Sequence, residues 1–240
     1  IRETNLNISV INTAKQLQDR NLDTSFAAAY FPDVDMIDPF SSSRELTTAP
    51  PSCAVIGAFS FNDVVAHPWY APAGFTRGGL TDGAAGVGVS SVRLRLNSKE
   101  RDKLYEANIN PIAQFPAEGI VIFGQKTLQV TRSALDRINV RRLLLFVKKG
   151  ISRIATDILF EPNVQETWVR FINIANPFLG VVKALFGLTD YKLVLDKTTT
   201  TDDLIDQNVL YAKVFLKPAR AIEYIALDFV ITNSGAGFED

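Results

Sequence analysis

The chain has 240 residues, 47% of them hydrophobic and 21% charged, enough to bury a sizeable core without a disulfide or metal to hold it. Its 25 Lys and Arg nearly cancel 26 Asp and Glu, so no global field draws it to nucleic acid, and no apolar run approaches the ~20 residues of a membrane span. One histidine and the lone Cys53 exclude metal sites built from His and Cys, and an intramolecular disulfide.

The sequence opens on Ile1 rather than Met and reads as part of a longer chain. A polar-faced helix is predicted to about Arg20, followed by a buried Ala-rich strand from Phe26 to Phe31. Asp33, Asp35 and Asp38 come next; three acids after a strand could bind a cation, but a solvated loop entering Pro39 is the preferred reading. The Ser-rich segment 41–52, with Pro50 and Pro51, reads as loop because neither proline can donate a backbone hydrogen bond. Residues 52–65 look helical, with Ala54, Gly57 and Ala58 small enough to let a neighbour approach. Residues 67–79 read as a Pro- and aromatic-rich surface segment.

A glycine-rich stretch, "GGLTDGAAGVGVS" at 78–90, invites a phosphate-loop reading. It lacks the Gly-Lys-Ser/Thr ending and leads into a strand, so a mobile surface loop fits better. Val92, Leu94 and Leu96 alternate as a short strand, then Asn97 or Ser98 caps a charged helix ending near Asn108. "GIVIFGQKTLQV" at 119–130 is a strand bounded by Gly119 and Gly124.

"RINVRRLLLFVKKGI" at 137–151 raises the question of what a doubly bracketed basic helix is for. With Asn139 as N-cap, Val140, Leu143, Leu144, Val147, Ile151 and Ile154 recur at helical spacing, a stripe worth on the order of 10 kcal/mol before entropy. Arg141, Arg142, Lys148, Lys149 and Arg153 are then predicted on the outer face. Asn163 and Glu166 suggest a capping box for a second helix, with Val164, Trp168, Phe171, Ile172 and Ala175 on one face. Pro177 should kink or split it and Gly187 end it. Three strand-like runs close the chain at 191–196, 209–217 and 221–232; in the last, Ile225, Leu227, Phe229 and Ile231 share one face.

No catalytic constellation emerges. His67 would have to serve as base with Asp63 and Ser90, yet no serine sits in a nucleophile elbow. A stacked structural histidine is the better reading, and no catalytic, cofactor or metal site is predicted.

Several pieces resemble, in order, the tail sheath proteins of contractile-tailed bacteriophages: "PPS" at 50–52, "APAG" at 71–74, "IN" at 109–110, "GIVIFGQKTL" at 119–128, "INVRRLLLFV" at 138–147, "FEPN…W" at 160–168 and "KPARAIEYIAL" at 217–227. Gly74, Phe123, Gln125 and Lys126 depart from the family's usual residues. The resemblance implies an α/β protein of mixed sheets and flanking helices. A subtilisin-like part without a triad, residues 1–130, would pack on a C-terminal α+β part, 131–240, next to the tail tube. It implies a structural subunit, not an enzyme, polymerising helically around the tube and contracting to drive it through the host envelope.

The partners so implied are other copies of the chain, the tube protein, and baseplate and terminator proteins, with no nucleic acid, membrane insertion or cofactor. The location would be the virion tail, after assembly in the host cytoplasm. Family members exchange terminal arms that add strands to neighbouring subunits, and residues 222–240 are the candidate arm here. Arg141, Arg142, Lys148, Lys149 and Arg153 are candidate contacts to the tube or adjacent subunits, and the chain alone is expected to be monomeric. The alternatives are a non-enzymatic α/β interaction module of another assembly, or a nucleotide-binding hydrolase using residues 78–90.

Overall fold

The computed structural model describes residues 7–37, 45–81 and 88–224. Helix α1 (Ile8–Asp19) is capped by Asn7, whose side chain accepts from the Ser9 amide. Three short strands follow: β1 (Ala29–Phe31), β2 (Val34–Ile37) and β3 (Leu46–Ala49). Next come α2 (Pro51–Val65), α3 (Gly74–Arg77), β4 (Val89–Val92), α4 (Ser98–Glu106), β5 (Ile109–Phe115) and β6 (Gly119–Ile122). The remainder is α5 (Ile138–Thr156), α6 (Gln165–Ala184), β7 (Leu188–Val194), α7 (Asp202–Asp206) and β8 (Lys213–Pro218).

The strands form small mixed sheets flanked by helices. In the first, β5 is central, parallel to β1 and antiparallel to β6. In the second, β2 lies between β3 and β4, antiparallel to both. One core joins these sheets under α2 through Val34, Ala54, Ala58, Leu80, Ile112 and Ile122. A second core packs α1 and α4 on the other side of β5, with Val10, Leu104 and Ile109 at its centre. Strands β7 and β8 pair antiparallel and pack against α5 and α6.

Several expectations need correction. The first strand covers only Ala29–Phe31, and Phe26 is 74% exposed, because only residues 29–31 find backbone partners on β5. The segment expected as loop forms β3, since Leu46–Ala49 completes the ladder of β2. Pro50 and Pro51 do stay out of that ladder, and Pro51 opens α2 at N1, where its missing N–H costs nothing.

Asp35 is not in a loop: it sits in β2 and its carboxylate accepts from Thr48 Oγ1 at 2.8 Å and Ser91 Oγ at 2.7 Å, bridging all three strands. Those hydrogen bonds hold its carboxyl below the usual carboxylate range. Asp38 and most of the glycine-rich stretch, 82–87, lie outside the described residues.

The predicted 92–96 strand lies earlier, at Val89–Val92, and β5 was not anticipated, although its first five residues are all buried. Asn97 caps α4 as expected and builds a full capping box with Glu100. By contrast Asn139 does not cap α5. That helix begins at Ile138 with Arg137 in the cap position, and Asn139 is buried, donating to the Trp69 carbonyl at 3.4 Å. Asn163 does not cap α6 either; its Oδ1 accepts from the Trp168 indole at 2.7 Å, and Val164 takes the cap position. Val164 is also exposed, leaving the predicted stripe to Trp168, Phe171 and Ala175 with half-buried Ile172.

Helix α6 runs unbroken through Pro177. A proline inside a helix costs about 3 kcal/mol. Here it faces outward, while Trp168, Phe171 and Ala175 before it and Leu179 and Val182 after it are all buried, so packing on both sides outweighs the cost. The helix ends in a Schellman pattern: Gly187 N donates to Val182 O and Phe186 N to Lys183 O. Phe186 occupies the left-handed position, at φ 59°, that glycine usually fills. Gly187 is needed next to it because a Cβ there would stand 2.8 Å from Val182 Cγ1 and 3.1 Å from Val182 O.

Trp69 overturns the reading of 67–79 as surface. It is 6% exposed, donates to the Leu185 carbonyl at 2.9 Å, and packs edge-on against Phe146. It thereby locks the segment after α2 onto α5 and the end of α6.

Candidate assembly interface

Helix α5 carries the basic residues that the sequence singled out, and the structure separates them into two groups. Near the N-terminus, Arg142 Nη2 meets Asp63 of α2 at 2.5 Å, and its guanidinium lies over the Phe59 ring. Arg141 covers the ring of Phe26 at 4.0 Å and donates to the carbonyl and hydroxyl of Ser25. Both arginines therefore stitch α5 to the N-terminal part instead of projecting outward. Periodicity had put them off the apolar stripe, but α2 and the 25–26 segment cover that side of the helix. Two turns on, Lys148, Lys149 and Arg153 are exposed and have no hydrogen-bond or ion-pair partner among the described residues.

Beside them lies a groove of about 320 Å³ between α5 and β8. Its walls are apolar: Leu144, Leu145 and Ile151 from the helix, Val214 and Leu216 from the strand. Arg141 and Lys148 stand on its rim. Strands β7 and β8 pair only with each other among the described residues, so each presents one open edge. Open edges are templates for a further strand.

The third feature is where the chain leaves β8. Ala219 N still bonds Gly187 O, and residues 221–224 then run without regular structure across the body. Ile222 and Tyr224 are 84% and 79% exposed. Between them Glu223 turns inward. Its Oε1 accepts from Arg137 Nε at 2.6 Å and Gln125 Nε2 at 3.2 Å; its Oε2 accepts from Arg137 Nη2 at 2.9 Å and Tyr105 Oη at 2.8 Å. Burial alone would raise this carboxyl, but the Arg137 and Tyr105 hydrogen bonds overcome it and leave it below the usual glutamate range. Burial together with the facing carboxylate pushes the Tyr105 hydroxyl the other way, well above its ordinary value.

Sequence reasoning missed this cluster. The available signal was a charged residue in the middle of the apolar run "AIEYIAL". Ile225, Leu227, Phe229 and Ile231, the predicted apolar face, lie outside the described residues.

The catalytic arrangement weighed from sequence is not assembled. Asp63 is engaged by Arg142, and His67 is half-buried and stacked on Trp69 at 4.6 Å. Among the described residues no group of acids, His and Cys is placed to hold a metal ion.

Comparison with known proteins gives this geometry a context. Residues 130–232 match the family model of the phage tail sheath C-terminal domain. The tail sheath protein of Vibrio phage KVP40 is 38% identical over 186 residues, 78% of this chain and 27% of that protein. That of Enterobacteria phage T4 is 36% identical over 191 residues, 80% of this chain and 28% of its own length. The chain thus spans little more than a quarter of either relative.

Among solved structures, the contracted PVC sheath complex of an extracellular contractile injection system aligns with a TM-score of 0.78 at 26% identity, covering 92% of this chain and 60% of that one. The contracted helical sheath of the anti-feeding prophage aligns at 0.73 and 27%, covering 86% and 56%.

Proposed function

We propose that the chain, whose residues 130–232 match the phage tail sheath C-terminal domain, belongs to the phage tail sheath family and is part of a structural subunit that polymerises helically around a tail tube. Contraction of that polymer drives the tube through the host envelope. The subunit needs neither catalysis nor a nucleotide: an extended lattice stores free energy and releases it by repacking identical contacts. Its place is the virion tail, after assembly in the host cytoplasm, with copies of itself, tube, baseplate and terminator proteins as partners.

The observation that carries the reading is the open-edged β7–β8 sheet with an apolar groove beneath one edge. A strand from a neighbouring copy would satisfy the open backbone groups, each hydrogen bond contributing about 1 kcal/mol net. The apolar period-two face of 225–231 suits such a donor. Residues 1–130 are assigned to a subtilisin-like part without a triad, which the parallel β1–β5 pairing flanked by helices supports. Residues 131–240 are assigned to the tube-facing part. Lys148, Lys149 and Arg153 are its cationic contacts, while Arg141 and Arg142 act indirectly by seating α5 on the N-terminal part.

The test is a chimaera in which residues 7–224 replace the matching segment of the KVP40 tail sheath protein. Negative-stain microscopy should show hollow cylinders. A chimaera that folds, by circular dichroism, but yields only discrete particles would overturn the reading.

A further inference from the structure

The segment after β8 is held to the body in an unusual way. Among residues 220–224, Glu223 alone makes hydrogen bonds to other described residues, yet it makes four, to side chains from three places in the chain. Tyr105 comes from α4, Gln125 from the strand-like stretch after β6, and Arg137 from the residue that caps α5. A bidentate guanidinium–carboxylate pair is about twice as strong as neutral hydrogen bonds and fixes orientation as well as distance.

The receiving groups are themselves fixed. The Lys126 amide and carbonyl are both held by the Asn110 side chain, and Ile138 N donates to Gln125 O at 2.8 Å. Lys126 Nζ lies over the Tyr105 ring at 4.0 Å and donates to the Tyr105 carbonyl. Asn110 belongs to the central strand β5. The clasp is thus anchored in the most interior sheet of the molecule, while its ligand sits on an otherwise exposed strip of chain.

We propose that Glu223 is the mooring of the C-terminal segment. The site formed by Tyr105, Gln125 and Arg137 sets the position and direction in which residues beyond 224 leave the body. It holds Ile222 and Tyr224 outward on either side, so that a neighbouring copy meets the segment in one orientation. Ordering the segment beforehand removes an entropy cost that would otherwise fall on association. The role in association rests on the sheath reading; the mooring itself does not, and it is tested on the chain alone.

Trypsin reports the mooring directly. Arg220 is exposed, the Lys217–Pro218 bond resists the enzyme, and residues 221–240 contain no Lys or Arg, so cleavage at Arg220 releases one peptide of known mass. In Glu223→Gln and in Arg137→Gln that peptide should appear about tenfold faster or more. The double variant should be no faster than the quicker single, because both break one interaction. Ile222→Ala, on the exposed side, should match the parent.

A second readout separates positioning from general stability. Spin labels at the natural Cys53 and at Tyr224→Cys should give one narrow distance distribution that broadens in Glu223→Gln while the melting temperature stays close to the parent. A parent distribution already broad, or cleavage and distance unchanged by Glu223→Gln, would overturn the proposal. Failure of the chimaera to form cylinders would instead strike the sheath reading and leave the mooring standing.

Discussion

Replacing Asn110 by aspartate changes one atom in the middle of the molecule, and the structure lets its cost be worked out. Asn110 has no solvent exposure. Its Nδ2 donates to Ala29 O at 3.1 Å and Lys126 O at 2.8 Å, and its Oδ1 accepts from Lys126 N at 2.6 Å. The residue thereby ties β1 and the stretch after β6 to β5. Gly124 makes room for it, since a Cβ there would lie 2.9 Å from Oδ1.

In Asn110→Asp an oxygen replaces Nδ2 and faces two carbonyls. Two hydrogen bonds worth about 1 kcal/mol each are lost, and buried carbonyls left without a donor cost about 1–3 kcal/mol more. Ionising the new carboxyl there is costlier still, so it takes a proton and its O–H regains one bond. The sum is about 2–4 kcal/mol where the carboxyl is protonated in both folded and unfolded chain, and holding the proton at pH 7 against an unfolded value of about 3.9 adds up to about 4 kcal/mol. With about 2–4 °C per kcal/mol for a chain of this size, the melting temperature should fall by about 10 °C at pH 4 and by about 20 °C at pH 7.

The sign of the pH dependence follows. The substituted carboxyl titrates above its unfolded value of about 3.9, so the penalty is smallest below that pH and grows as pH rises toward the folded value. Urea unfolding at pH 4 and pH 7 measures both. A loss under 1 kcal/mol, or a larger loss at pH 4, would refute the account of Asn110 as a saturated buried connector.

Other perturbations follow from the same geometry. Phe186→Gly should stabilise by about 0.5–1 kcal/mol in denaturant titration, because the ring is exposed and the backbone is left-handed, whereas Gly187→Ala should cost about 1–3 kcal/mol through its contacts with Val182. The Glu223 clasp should be pH-sensitive in the opposite sense to Asn110→Asp. Its folded pKa is depressed, so its contribution is complete above the unfolded value of about 4.3 and disappears as pH falls through the lower folded one. Tryptic release of residues 221–240 cannot follow that far into acid, but hydrogen exchange of the 219–224 amides can.

What the sequence revealed depended on whether one element decided it. The long helices were legible because the apolar spacing of Leu143, Val147 and Ile151, or of Trp168, Phe171 and Ala175, is set within a single element. Strand β5 was not, because "INPIAQF" contains Pro111 and follows a charged helix without a glycine break; its burial on both faces comes from β1, β6 and the surrounding helices. The caps at Asn139 and Asn163 failed for a related reason. Asn139 donates to the Trp69 carbonyl 70 residues away, and Asn163, whose Oδ1 accepts from the Trp168 indole, donates to the Val209 carbonyl 46 residues on, so distant contacts orient both side chains. The clasp is the extreme case, since Glu223 and its partners are separated by 86 to 118 residues.

The two halves of α5 answer the question posed by its flanking charges, and they change how the assembly idea must be tested. Charge reversal at Arg141 and Arg142, the variant that the sequence pattern suggests, would set two carboxylates facing in the Arg142–Asp63 pair and strip the cation from Phe26. Loss of assembly in that variant would report damage to the seating of α5 as readily as loss of a contact. Lys148, Lys149 and Arg153 carry no such burden. Reversing all three to glutamate should leave stability within about 0.5 kcal/mol per site. Exposed ion pairs contribute only ~0–1 kcal/mol each and are screened over about 8 Å at physiological salt. If the subunit meets a tail tube through these residues, as proposed, binding should weaken gradually with added salt in the parent, and in the triple variant it should be weakest at low salt and recover as added salt screens the new repulsion. If the triple variant binds as tightly as the parent, with the same salt response, the exposed half of α5 is a solvated face and the tube contact lies elsewhere.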